Sequence, residues 1–140
     1  MKRKMGIDYG RARIGIAVSD TLGITARGIE TINWDGVKSD YFYERIKDLC
    51  EEYEVDTVIV GLPRRTDGKT GEIECEARQF ASRIGETTGV KVVLSDERYT
   101  TSIARRIMKE TGMKDSLKKK NIDRMAAEII LQDYLNYCKN

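Results

Sequence analysis

Two apolar runs separated by a short polar gap open the chain. Residues 4–8 and 14–19 are rich in β-formers, and the glycine and arginine residues between them suit a hairpin connection, so two antiparallel strands are predicted. Residues 27–32 read as a third strand. From 38 to 53 the period changes, and Phe42, Ile46, Leu49, Cys50 and Tyr53 fall at the spacing of one helix face. DTVIVG at 56–61 is a continuous β-branched run, the composition of a strand covered on both faces. Residues 72–86 read as a second helix and VKVVL at 90–94 as a second buried strand. Thr100 or Thr101 caps a further helix running to about residue 110, which Gly112 ends. Asn121 caps the last helix, with Ile122, Met125, Ala126, Ile129, Ile130 and Leu135 as its apolar side. Residues 64–71 and 112–120, rich in glycine and charge, read as mobile connections.

The predicted order β-β-β-α-β-α-β-α-α defines an α/β fold occupying residues 1–140 as a single domain. Its five-stranded mixed sheet has three antiparallel strands followed by two parallel crossover strands, flanked by helices. Right-handed crossovers place the fourth and fifth strands parallel to the first. Their C-terminal ends then share one edge of the sheet, where open α/β sheets bind ligands. Asp8 ends the first of these strands, Gly61-Leu62-Pro63 the second and Asp96-Glu97 the third. Asp123, expected in the first turn of the final helix, reaches the same edge.

Composition narrows the chemistry. At 140 residues the chain can bury one sizeable core but cannot form two lobes around a cleft. Charged residues make up 34% of it, yet the net charge is +2, so any affinity for nucleic acid must come from how charges cluster. No apolar run approaches membrane-spanning length, and Met-Lys-Arg-Lys leads into a strand pattern instead of a signal-peptide core, so a cytoplasmic, non-membrane protein is expected. Cys50, Cys75 and Cys138 are odd in number and widely spaced, which fits neither a disulfide framework nor a zinc site. The chain contains no histidine, which excludes histidine general bases, histidine-based triads and histidine-ligated zinc.

Three segments thus deliver carboxylates to one place. Clustered carboxylates repel unless protons or cations compensate them. Oxygen-only ligands select hard cations such as Mg²⁺ or Mn²⁺, and a pair of ions ~4 Å apart activates water and stabilises the leaving oxygen of a phosphodiester. Arg11, Arg13, Arg64, Arg65, Lys69, Arg98 and the run Lys118, Lys119, Lys120 would surround the acids with phosphate-binding groups. An acidic centre with a basic rim is the layout of a nuclease. Each piece alone has a plainer reading. Asp8 suits a turn, Asp123 is favoured by a helix dipole, Asp96-Glu97 could start a helix, and a lysine run is usually a solvated face. The case rests on their convergence.

Four blocks, GIDYGRARIGIAVSD, VIVGLPRRTDGKTGE, LSDERYTT and KKKNIDRMAAEIILQDYL, resemble in order and spacing those of the YqgF (RuvX) family. That family is similar to the RuvC-type Holliday junction resolvases, and the resemblance implies an RNase H-like fold. It further implies a metal-dependent nuclease that processes the 5′ end of the precursor of 16S ribosomal RNA, in ribosome biogenesis. Carried over by position, the catalytic and metal-holding acids are Asp8, Glu97 and Asp123; Glu97 is preferred to Asp96 on motif position alone. Gly10 would let the backbone turn beside the site, and Thr100 and Thr101 would be secondary donors. The implied partner is precursor rRNA, free or within a ribosomal particle.

The pattern departs from the junction resolvases where Gly-Leu-Pro ends the fourth strand and where Ala126 follows Asp123 by three residues. RNA processing therefore ranks first, and cleavage of branched, four-way DNA by a homodimer is the alternative. A non-catalytic RNA-binding assembly factor is a further one. Asp-x-Gly followed by Ile-Gly also resembles the phosphate hairpin of the sugar kinase and actin superfamily, but a chain of this length cannot close that two-lobed cleft. A monomer and a homodimer are both compatible with the sequence.

Overall fold

A computed structural model describes residues 2–10, 13–33, 41–62, 72–96 and 115–138. Strands β1 (Arg3–Asp8), β2 (Arg13–Ser19) and β3 (Ala26–Asn33) are followed by α1 (Tyr41–Glu52), β4 (Val55–Leu62), α2 (Glu72–Thr88), β5 (Lys91–Asp96) and α3 (Asp115–Cys138). The helix expected after Thr100 lies outside the described residues, as does the 64–71 connection. The five strands form one sheet in the order β3-β2-β1-β4-β5. β2 pairs antiparallel with both β1 and β3, while β4 pairs parallel with β1 and with β5. The expected mixed sheet is therefore present, with β1 at its centre.

Alternation along β1 assigns the two faces. Met5 and Ile7 join Ile14, Ile16, Val18, Val58 and Val60 in a core closed by Phe42, Ile46 and Leu49 of α1 and by Ala77, Phe80 and Ile84 of α2. Phe80 anchors that layer, with ring centroids 4.9 Å from Tyr9 and 5.7 Å from Phe42. The opposite face packs Ala17 and Ile59 against Ala127, Ile130, Leu131 and Leu135 of α3. Helix α3 approaches unusually closely because its contact points on the sheet are glycines. A Cβ added to Gly6 would lie 2.7 Å from Cβ of Leu131 and 2.8 Å from the carbonyl oxygen of Ala127. One added to Gly28 would lie 2.9 Å from Cβ of Arg124.

Helix α3 also covers part of an open sheet edge. β3 is an edge strand, and unpaired edge groups invite association unless something satisfies them. The Ala26 N–H donates to Oε1 of Gln132 at 3.0 Å, the Gly28 N–H donates to Oε1 of Glu128, and Nε2 of Gln132 donates to the carbonyl of Ile24 at 2.9 Å. Gln132 thus closes both an acceptor and a donor of the β3 approach. Gln132→Ala is expected to cost about 1–2 kcal/mol, the loss of two modest hydrogen bonds at a partly exposed site. Urea denaturation measures it, and an unchanged midpoint would show that water replaces the amide without cost.

Two expectations need correction. β5 is an edge strand and not a buried one: Leu94 is 39% exposed, and Val92 and Val93 are half-buried. A run of β-branched residues cannot by itself distinguish a central strand from an edge. Helix α3 begins at Asp115, so Asn121 is interior, Asp123 sits in the third turn, and residues 115–120 of the expected connection are helical. Leucine and lysine are strong helix formers, and an acid at the first position is favoured by the helix dipole. Polarity alone points to a loop over this charged run, and helix propensity overrides it. The buried stripe of α3 also differs: Ala126, Ala127, Ile130, Leu131 and Leu135 are buried, whereas Met125 and Ile129 are half-buried.

Candidate active site

Parallel pairing aligns the C-terminal ends of β1, β4 and β5. Asp8 is in register with Gly61, Gly61 with Ser95, and Leu62 with Asp96. On its other side Asp8 pairs with Gly15, and Gly15 with Thr31. A single row therefore crosses the sheet as Thr31, Gly15, Asp8, Gly61, Ser95. Paired residues share a face, and Asp8, two residues after Gly6, shares the face on which α3 packs. Asp8 is buried, with 8% of its surface exposed, and neither neighbouring strand places a side chain beside it. Glycines therefore flank the central carboxylate on both neighbouring strands, a signal that emerges only once the register is known.

Position 123 can be located from the backbone of α3. Ala127 and Leu131 lie against Gly6. Helix α3 runs antiparallel to β3, since Gln132 meets Ala26 and Arg124 meets Gly28 further along the strand, and β3 runs parallel to β1. Advancing two residues along β1, from Gly6 to Asp8, covers about 6.7 Å. Four residues back along a helix cover about 6 Å. Position 123, one turn before Ala127, thus falls at the level of Asp8.

Of the acids expected from the sequence, Asp8 is placed fully, Asp96 and Asp123 by backbone only, and Glu97 lies outside the described residues. Among the described residues no three acidic or cysteine side chains converge on a point. Of the basic rim, Arg13 begins β2 beside Asn33 of β3, two residues before Gly15. Lys118, Lys119 and Lys120 lie in α3. Arg11, Arg64, Arg65, Lys69 and Arg98, like Thr100 and Thr101, lie outside the described residues. Gly10 has a clear steric reason, because a Cβ there would sit 2.5 Å from the carbonyl oxygen of Arg13. Cys50 is buried, and burial pushes its thiol up to about 11, aided by Glu51, which leaves it a packing group. No described helix is long and apolar enough to cross a membrane.

A mixed sheet of order 3-2-1-4-5 flanked by helices is the RNase H-like fold. The chain superposes on RuvC of Thermus thermophilus in complex with Holliday junction substrate with a TM-score of 0.61, 15% identity, and coverage of 99% of this chain and 96% of that one. The fowlpox virus resolvase bound to Holliday junction DNA gives a TM-score of 0.57 at 15% identity, covering 99% of each chain. These likenesses establish the fold. The sequence then identifies the family: residues 2–137 match RuvX, described as a Holliday junction resolvase family, and the chain belongs to it. Relatives from Geobacillus kaustophilus and Listeria innocua, both carrying the name "Putative pre-16S rRNA nuclease", are 40% and 42% identical over 134 residues, or 96% of this chain and 97% of theirs.

Proposed function

We propose that the protein is a divalent-metal-dependent nuclease that hydrolyses a phosphodiester bond in the 5′ region of precursor 16S rRNA. The observation that carries this reading is the buried Asp8, held at the C-terminal edge of the central strand between Gly15 and Gly61, facing the helix that bears position 123. The near full-length relation to pre-16S rRNA nucleases supports RNA as the substrate.

The donor set fits Mg²⁺ or Mn²⁺. The chain has no histidine, and a buried carboxylate at the end of the central strand is an oxygen ligand of the kind a hard cation takes. Asp8, Glu97 and Asp123 would hold the metal, which when bound activates water and offsets charge on the leaving oxygen. Asp8 contributes rigidity, since its backbone is paired on both sides and cannot shift independently of the sheet. Arg13, with Arg11, Arg64, Arg65, Lys69, Arg98 and the Lys118 to Lys120 run, would attract and align the phosphate backbone. Thr100 and Thr101 would add hydrogen bonds.

The resolvase likeness in fold makes four-way DNA the second substrate to test. Purified protein with Mn²⁺ is expected to cut a precursor 16S 5′-leader RNA and to leave a four-way DNA junction intact, with EDTA abolishing cleavage. Junction cleavage without RNA cleavage would reverse the ranking. RNA binding without cleavage of either substrate, even within an assembling ribosomal particle, would favour the assembly-factor reading.

A further inference from the structure

Helix α3 carries position 123, so whatever sets the height of α3 on the sheet also sets the distance from that position to Asp8. Apolar packing constrains this height weakly, because burial of apolar surface has no preferred direction. At the points of closest approach the sheet presents Gly6 to Ala127 and Leu131, and Gly28 to Arg124. Glycines let the helix come close but give it no side chain to catch on along its axis.

Hydrogen bonds to β3 supply the missing constraint. The Ala26 N–H donates to Oε1 of Gln132 at 3.0 Å, and the Gly28 N–H donates to Oε1 of Glu128. The two spacings match, since two residues along a strand cover about 6.7 Å and four along a helix about 6 Å. One helix turn is thereby pinned to one strand repeat. A shift of α3 along its axis would stretch both bonds together, and such bonds keep their strength over only about half an ångström. Gly28 belongs to the same device: a Cβ there would lie 2.9 Å from Cβ of Arg124 and 3.3 Å from Oε1 of Glu128. Glu128 is five residues, or about 7.5 Å, along the helix from position 123, and acts on that position through the helix backbone.

We propose that Glu128 is a positioning residue of the nuclease site. By accepting from the Gly28 N–H it fixes the axial register of α3, and so the height at which position 123 faces Asp8; Gln132 holds the same register one turn further on. A metal held by acids from both elements needs them placed to within about 0.5 Å, which a directional bond provides and apolar packing does not. The inference rests on the nuclease reading and gives Glu128 no contact with metal or RNA.

The test compares wild type, Glu128→Ala and Glu128→Gln, with Ile84→Val as a control that loosens the core on the opposite face of the sheet. Two Mn²⁺ titrations are read: the rise in melting temperature of the RNA-free protein, and the cleavage of precursor 16S 5′-leader RNA. Glu128→Ala is expected to raise the half-saturating Mn²⁺ concentration roughly tenfold in both, the scale of losing a group that orients a metal ligand. Its affinity for the RNA in EDTA should not fall. Glu128→Gln keeps an acceptor for the Gly28 N–H and should match wild type, as should Ile84→Val. Should Glu128→Ala fail to fold, Gln132→Ala carries the same expectation and decides. Wild-type Mn²⁺ dependence in the folded alanine variant would overturn the proposal. So would an equal loss in Glu128→Gln or in Ile84→Val, which would assign the effect to charge or to stability. A wild type that neither responds to Mn²⁺ nor cleaves the RNA would instead remove the nuclease reading, and this inference with it.

Discussion

Asp8→Asn is expected to abolish RNA cleavage, with a loss of at least about 10³-fold, while leaving the fold intact. The magnitude follows from removing one ligand of a metal site that supplies several kcal/mol of transition-state stabilisation, each 1.4 kcal/mol being tenfold in rate. The fold survives because asparagine is isosteric and the backbone pairs of Asp8 with Gly15 and Gly61 do not depend on its side chain. In the absence of metal the variant should melt at or above the wild-type temperature, since in the proposed three-acid site the buried Asp8 carboxylate would be repelled by Glu97 and Asp123. Melting in EDTA alongside a cleavage time course checks both halves. A marked fall in melting temperature would identify Asp8 as a structural turn residue instead.

Gly6→Ala is the second large effect, and it reaches the site through packing. The added methyl would lie 2.7 Å from Cβ of Leu131 and 2.8 Å from a main-chain oxygen of α3, neither of which is the end of a flexible side chain. Either α3 or the central strand must yield, and overpacking of this kind costs about 1–3 kcal/mol, at its upper end when backbone is involved. Because α3 also carries Asp123, proposed as a metal-holding acid, the displaced helix should lower activity as well as stability. Urea denaturation paired with cleavage rates is the measurement. A variant that loses neither would show that α3 is free to lift from the sheet.

What the sequence made legible is explained by which signals are local. The strands and α1 follow from period and composition, and the predicted stripe Phe42, Ile46, Leu49 and Cys50 is the stripe α1 buries. The start of α3 was missed because polarity outweighed helix propensity over residues 115–120. The edge position of β5 was missed because a β-branched run looks alike at the centre and at the rim. Asp8 is legible as an acid closing an apolar run, and the shared C-terminal edge of β1, β4 and β5 follows from the handedness of the crossovers. The glycines flanking Asp8 and the glycine bed under α3 depend on cross-strand register and on contacts about 100 residues apart in sequence, as between Gly28 and Glu128. No local pattern encodes those. The choice of Glu97 over Asp96 came from motif position and rests there.

The account stands or falls on whether this edge of the sheet cuts RNA. The most direct measurement is a Mn²⁺-dependent cleavage time course on precursor 16S 5′-leader RNA, with wild type, Asp8→Asn, Glu97→Gln and Asp123→Asn side by side at saturating protein. The account predicts a discrete product from wild type, sensitive to EDTA, and none from any of the three variants. Equal cleavage by wild type and the variants would mean that the activity comes from elsewhere and would contradict the three-acid site.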